Sequence, residues 1–461
     1  MSQNLSTSQN SASKNSPLPA QESPRTQTPL RFIHAAQLRL DHPWQGVGQI
    51  PPDLLTTVED ASATSWEFIQ RQCYELQIDF LLLTGNTLVA ADYSLAGEAA
   101  LIRGLNHLHD LNIPVYIIPG ELDPEHYWDS IDHRLPSNTH RLSSHDPAAT
   151  LCSRNGQGIA TLIPVAGPTP SAADTWIDPA WWETWHDQLV DRDSPFPIGL
   201  IHQAPLDQYP AYQTPPAELQ TLLRSSRIRY FASGATLHRW TAQFGSALWH
   251  VPGSPIPFRS NLTDSVGCSF VEVDTAGHLT TKQLPTSPVR RERFVFNASP
   301  VTVRAELIDQ LSNQLSKTTI ARDQSLCWID LVIQGGGLLA DELRLPDACK
   351  YLRQEVLDFT STDQVPVWID HIEFEDNRSN SELVAGSSRL TGDFLQQLDR
   401  ARELAEDDSA LLGSIPSPAG FSESAWEAIR REIDVAQVVS ATRSFGAQLL
   451  AVRREVDDED H

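Results

Sequence analysis

The sequence predicts an α/β fold, and three observations predict it. Short apolar runs at 31–36, 79–84 and 113–118 lack polar alternation, as strands buried on both faces require. Stretches of helical periodicity at 53–76 and 95–111 separate them. Each run ends in a polar loop: Gln37-Leu38-Arg39, Gly85-Asn86 and Gly120-Glu-Leu-Asp123. In sheets of this kind, sites assemble beyond the strand C-termini.

Taken in order, residues 1–29 are rich in Ser, Gln, Asn and Pro, bury too little apolar surface to offset the entropy of ordering, and read as a disordered tail. The first strand follows within Arg31-Phe-Ile-His-Ala-Ala36, then the helical stretch 53–76, Asp79-Phe-Leu-Leu-Leu-Thr84, the helical stretch 95–111 and Ile113-Pro-Val-Tyr-Ile-Ile118. Further strands are expected at about 159–166, 197–202, 228–233, 247–251 and 268–275. From about 287 to 406 a smaller unit is expected, with strands at 327–333 and 366–372 among helical stretches near 302–317, 344–357 and 388–405. The segment 407–461 reads as helical and acidic, closing on a solvated Asp457-Asp-Glu-Asp460. The tryptophans 176, 181, 182 and 185 sit beside Asp174, Asp178 and Glu183, which favours packing or partner contact over stacking on bases.

Composition narrows the function. No apolar run approaches the roughly 20 residues of a membrane span, and the N-terminus lacks a charged start followed by an apolar stretch, so the expectation is a soluble protein without a membrane role. The five cysteines have no close pairs, which argues against a disulfide framework and a zinc site and fits a reduced cytoplasm. The net charge of −25 repels duplex DNA, whose nonspecific binding depends on Lys and Arg at phosphates, so a nucleic-acid role requires a partner or a confined pocket.

The strand-end segments, read in order, resemble the calcineurin-like metallophosphoesterase superfamily, and within it the SbcD/YhaO-type DNA repair exonucleases. Arg31 to Gly46 is similar to the opening His-x-x-Asp-x-His-Leu segment, Asp79 to Asn86 to the strand carrying Gly-Asp, and Ile113 to Pro124 to the strand carrying Gly-Asn-His-Asp. Gly199-Leu-Ile-His202 stands where the family has a strand-end His, and Tyr230 to Arg239 where it has Gly-His-x-His. Val251 to Pro255 and Gly267 to Asp274 resemble the closing hairpins. The resemblance covers about 30–286 and implies the four-layer sandwich of these enzymes; 287–406 resembles their small capping domain. It also implies two divalent metals about 3.5–4 Å apart that activate a water, and a partner that is an SMC-like coiled-coil ATPase, with DNA reached through that complex.

The departures from the pattern decide the expected function. Gln37 stands where the family has Asp, Arg39 where it has His, and Asn86 at the bridging carboxylate. Glu121 replaces Asn, and Leu122 replaces the His that assists the leaving group. Asp123 is kept in what is mainly a structural role. His202 keeps its place, and His238 is one residue out of register. A guanidinium does not deprotonate and repels cations, so Arg39 is expected to fill the vacated space and compensate Glu121 or Asp123. His34, at the start of the first loop, is expected to bond backbone. The resulting expectation is a degenerate, inactive relative with no metal cofactor, serving as scaffold or regulatory partner of the ATPase. Two alternatives remain open: one divalent metal such as Mn held by Asn86, Glu121, His202 and His238 in an active phosphoesterase, or a phosphate bound without cleavage by Arg39.

Overall fold

The structure, a computed structural model, describes chiefly residues 28–143, 148–164, 194–201, 226–298, 303–315, 325–335, 350–356, 366–375 and 396–400, apart from isolated positions within them. The tryptophan group at 176–185, His202 and the expected C-terminal helices lie outside the described residues. The chain divides into two compact units, with the change falling between Arg291 and Glu292.

The first unit opens with strand β1 (Leu30–Ala35), helices α1 (Pro52–Glu59) and α2 (Ala61–Glu75), β2 (Phe80–Thr84), α3 (Leu95–Asp110), β3 (Val115–Ile118), α4 (Glu125–Ile131) and β4 (Thr139–Arg141). It continues with β5 (Thr150–Arg154), β6 (Gln157–Pro164), β7 (Pro197–Ile201), β8 (Tyr230–Ser233), β9 (Trp240–Phe244), β10 (Ala247–Val251), β11 (Cys268–Val273) and β12 (Leu279–Leu284). These strands form two six-stranded sheets, ordered β12-β11-β1-β2-β3-β4 and β5-β6-β7-β8-β10-β9. Strands β1 to β4 run parallel, as do β6, β7, β8 and β10, with antiparallel strands at the margins.

The continuous apolar runs are explained by two different faces. Along β1 and β2, Phe32, Phe80 and Leu82 enter one core cluster with Leu162, Ile198, Leu200 and Tyr230 of the opposite sheet. Their neighbours Ile33, Ala35, Leu81 and Leu83 enter another with Trp66, Ile69 and Cys73 of α2 and Leu101, Leu105 and Leu108 of α3. Successive strand side chains point to opposite faces, so a strand with sheet on one side and helix on the other is apolar at every position. The helices present the complementary spacing, three and four residues apart. Helix α3 begins at Ser94, whose hydroxyl accepts from the Gly97 N–H at 3.1 Å. The helical stretch at 53–76 is broken at Asp60 into α1 and α2. The α2–α3 approach is close enough that a Cβ on Gly104 would lie 2.1 Å from Trp66 Nε1.

A three-stranded sheet, most of it in the second unit, is formed by β13 (Val289–Asn297), β14 (Leu326–Gln334) and β15 (Val367–Glu375) in that order. Helix α5 (Arg304–Leu315) buries Leu307, Leu311 and Leu315 with Ile329, Leu331 and Ile369 of the sheet.

Candidate functional site

The loops that follow β1, β2, β3 and β8 meet at one edge of the sandwich. Beyond Ala35 the chain alternates into the left-handed region at Gln37 (φ 56°), Arg39 (φ 43°) and Asp41 (φ 62°), and the β2 loop does so at Asn86 (φ 53°). Such conformations cost a non-glycine residue on the order of 1 kcal/mol or more and persist only where the surroundings enforce them. Here main-chain bonds do so. The N–H groups of Gln37, Arg39 and Leu40 donate to the carbonyls of Gly85, Asn86 and Thr87 at 3.0, 3.0 and 3.1 Å.

The side chains complete a closed network. Gln37 is fully buried, donates from Nε2 to the Gly234 carbonyl at 2.6 Å, and accepts from Arg39 Nε at 2.9 Å. The Arg39 guanidinium lies 4.8 Å from the Phe258 ring centroid. Asp123 is fully buried and accepts from the N–H groups of Asn86, Thr87 and Gly120, each at 2.8 Å. Burial pushes its carboxyl up to about 6, against the pull of those amides. Arg39 is expected to compensate Glu121 or Asp123; main-chain amides donate to the Asp123 carboxylate. Two glycines permit this packing. A Cβ on Gly120 would lie 2.3 Å from Asn86 Oδ1, and one on Gly234 would lie 1.6 Å from the Thr84 carbonyl oxygen.

Asn86 shows how far this arrangement departs from a cation site. Its Oδ1 accepts from the Leu122 N–H at 2.9 Å, which fixes the amide so that Nδ2 is the other branch. That nitrogen is buried and has no hydrogen-bond partner. A bridging ligand to two dications must offer lone pairs to both. Asn86 offers a donor instead, Gln37 Oε1 is engaged by a guanidinium, and Arg39 adds a fixed positive charge. These residues do not fit a two-metal centre.

The single-metal set fares differently at each position. Glu121 is exposed while Asn86 is buried, His238 is half-buried with its carbonyl accepting from Thr236 Oγ1 at 2.9 Å, and His202 lies outside the described residues. Leu122 is half-buried, and its carbonyl accepts from the Ala90 N–H at 2.8 Å. Among the described residues, no group of three or more His, Cys, Asp or Glu side chains is placed to hold a metal ion.

Three features of the site were missed in the sequence. His34 bonds through its side chain, from Nδ1 to Tyr230 Oη and from Nε2 to Thr84 Oγ1, both at 2.8 Å, rather than to backbone. His250 lies 5.8 Å from it, ring to ring, and bonds Thr241 Oγ1 and Ser269 Oγ at 2.7 Å each. Burial holds His34 well below the usual histidine range, helped by His250, and brings His250 down to about 3, helped by Arg239. The second missed feature is Phe258, which receives Arg39 and also Arg259 at 5.9 Å. The third is His42, paired with Asp92 at 2.9 Å; burial lowers its pKa first and the Arg39 charge lowers it further, against Asp92. A histidine inside an otherwise apolar strand was the available signal for His34. Nothing local marked Phe258.

No protein-family model matches the chain. Its sequence is similar to an uncharacterized metallophosphoesterase, YhaO, of Bacillus subtilis strain 168, with 28% identity over 178 residues, or 38% of this chain. The matched region spans 41% of that relative's length. Solved structures that align with the chain include a dimetal phosphatase from Danio rerio, at 10% identity and TM-score 0.36, covering 55% of this chain and 98% of that one. Another is YfcE, a phosphoesterase from E. coli, at 11% identity and TM-score 0.25, covering 56% of this chain and all of that one. The chain is thus a sequence relative of a metallophosphoesterase, with the mixed sheets and covering helices of an α/β fold. No helix among the described residues is long and apolar enough to cross a membrane.

Proposed function

We propose that this protein is a catalytically silent metallophosphoesterase-like protein, related to DNA repair exonuclease subunits, that acts as a scaffold or regulatory partner of an SMC-like ATPase in the cytoplasm. One observation carries the loss of catalysis: the bridging position holds Asn86, whose oxygen is bound to Leu122 N–H and whose nitrogen is a buried donor. A donor cannot ligate a cation, and in a two-metal phosphoesterase it is the metal pair that lowers the pKa of the attacking water. Support for the scaffold role comes from the resemblance, in which the phosphoesterase is one half of a complex with a coiled-coil ATPase. The net charge of −25 favours DNA contact through such a partner over direct binding.

The test is elemental analysis and a Mn²⁺-dependent nuclease assay on one preparation. The expected result is no stoichiometric Mn, Fe or Zn and no DNA degradation. Metal near two per chain with DNA degradation overturns the proposal. Hydrolysis of a generic phosphodiester that is lost in both Glu121→Ala and His202→Ala establishes the single-metal enzyme instead. Co-purification with a coiled-coil ATPase from the native host tests the partner.

A further inference from the structure

We propose that His42 is a proton-operated latch on the strand-end loops: a proton taken up at its Nε2 uncouples Gln45 from Arg259 and loosens Phe258 and Arg259 from the loop that follows β1. The Arg39 guanidinium lies 4.8 Å from the Phe258 ring centroid, so the latch sets how firmly that ring is held beside the site.

Arg259, Gln45, His42 and Asp92 form a chain of hydrogen bonds whose direction is fixed at both ends. Arg259 Nε, which can only donate, bonds Gln45 Oε1 at 2.8 Å. Gln45 Nε2 lies 3.2 Å from His42 Nε2, and His42 Nδ1 lies 2.9 Å from Asp92 Oδ2. A carboxylate can only accept, so Nδ1 carries the ring proton and Nε2 accepts from the Gln45 amide. Every donor meets an acceptor while His42 is neutral. A second ring proton sets Nε2–H against the Gln45 NH₂, donor to donor. Turning that amide over gives His42 its acceptor but sets the NH₂ against Arg259 Nε–H. The conflict can be moved along the chain but not removed, so a charged His42 and a bonded Gln45–Arg259 pair exclude each other.

The position of this chain gives the conflict a structural consequence. Asp41, just before His42, is anchored to the helices: its N–H donates to Ser62 Oγ of α2 at 3.0 Å, and its carboxylate accepts from Ser94 Oγ at the start of α3. Phe258 and Arg259 join Gln45 through the Gln45 N–H, which donates to the Phe258 carbonyl at 2.9 Å, through the Arg259 side chain, and through a parallel bridge between Gln45 and Arg259. His42 meets the Phe258 ring edge-on at 5.7 Å. Ile256 and Phe258 stay buried against Trp44 and Leu237, so the release is a local loosening and not an unfolding. The charged groups acting on His42 are Arg39 on its own loop, Asp92 from the short turn Ala90–Asp92, and Arg259 from the facing segment. Burial first, then the two guanidinium groups, oppose the second proton, while Asp92 favours it, so the change falls below the ordinary histidine range.

NMR of the histidine ring nitrogens in the full-length protein, between about pH 7.5 and 5, reads the tautomer and charge of His42. Amide hydrogen exchange, corrected for its intrinsic pH dependence, reads the hold on the residue 45 N–H. Neutral His42 is expected as the Nδ1–H tautomer. As it takes up its second proton, the residue 45 amide is expected to lose about tenfold in protection relative to the amides of β2, the factor carried by one hydrogen bond to a charged group. His42→Gln cannot take up a proton and is expected to abolish that relative loss. It retains His34, His250 and Asp123, so their titration cannot account for a difference between the two proteins. Gln45→Glu offers acceptors to both a charged His42 and Arg259, and is expected to keep the segment held through the same pH range and to raise the pH at which His42 titrates. An Nε2–H tautomer for neutral His42, no relative loss in wild type, or an equal loss in His42→Gln overturns the inference. A loss undiminished in Gln45→Glu does so as well.

Discussion

Replacing Asp123 tests whether this carboxylate is the structural centre of the strand-end loops. Its two oxygens accept three main-chain N–H groups at 2.8 Å, from Asn86, Thr87 and Gly120, on loops otherwise strained at Asn86. Asp123→Ala leaves those donors without acceptors in a fully buried place, at about 1–3 kcal/mol each before water enters the cavity. Partial rehydration brings the expected loss to about 4 kcal/mol, in the range of other buried-network deletions. Asp123→Asn keeps one oxygen for two of the donors and sets its own NH₂ against the third, so its expected cost is about 2 kcal/mol. Urea unfolding at pH 7, followed by tryptophan fluorescence, measures both as midpoint shifts at constant slope. A loss below about 1 kcal/mol for Asp123→Ala would show that the loops are held by something else, and the reasoning about this site would fail with it.

Much of the scaffold was legible because it is local. The runs at β1, β2 and β3 and the helical stretches between them carry their periodicities in the chain itself. The strands β4, β5, β9 and β12 were not anticipated, since they are short or mostly half-exposed margins where β patterning is weak. One of them did carry a signal. Asn155 (φ 51°) and Gly156 (φ 77°) join β5 to β6 as the Asn-Gly pair favoured in tight hairpins. At the site, the residue types were readable and their partners were not. That Arg39 replaces an imidazole is visible in a motif, but Gln37 and Arg39 find Gly234 and Phe258, about two hundred positions away, only once the two sheets face each other.

Gly234→Ala is expected to destabilise the protein by about 3 kcal/mol in the same urea assay, because the Cβ would lie 1.6 Å from a main-chain oxygen that cannot move aside; a change under about 1 kcal/mol would contradict the close approach. Tyr230→Phe removes the hydroxyl partner of His34 in a buried setting, and a loss of about 1–2 kcal/mol is expected. The pH response follows from two opposed groups. His250 titrates at about 3 in the fold and near 6.5 when unfolded, so the unfolded chain takes up its proton first, and the stability present above pH 6.5 is lost as pH falls toward 3. By pH 5 that loss amounts to about 2 kcal/mol. Asp123 acts in the other direction: with its folded pKa raised to about 6, the fold takes up its proton first, and between pH 7 and 5 this returns about 1 kcal/mol. His34, also lowered by burial, adds to the loss. Asp123→Asn removes only the compensating group, so acidification from pH 7 to 5 is expected to cost this variant about 1 kcal/mol more than wild type. Midpoints measured for both proteins at the two pH values decide it. Equal shifts would mean that the Asp123 carboxyl is not raised in the fold, and that main-chain amides offset burial at the strand ends.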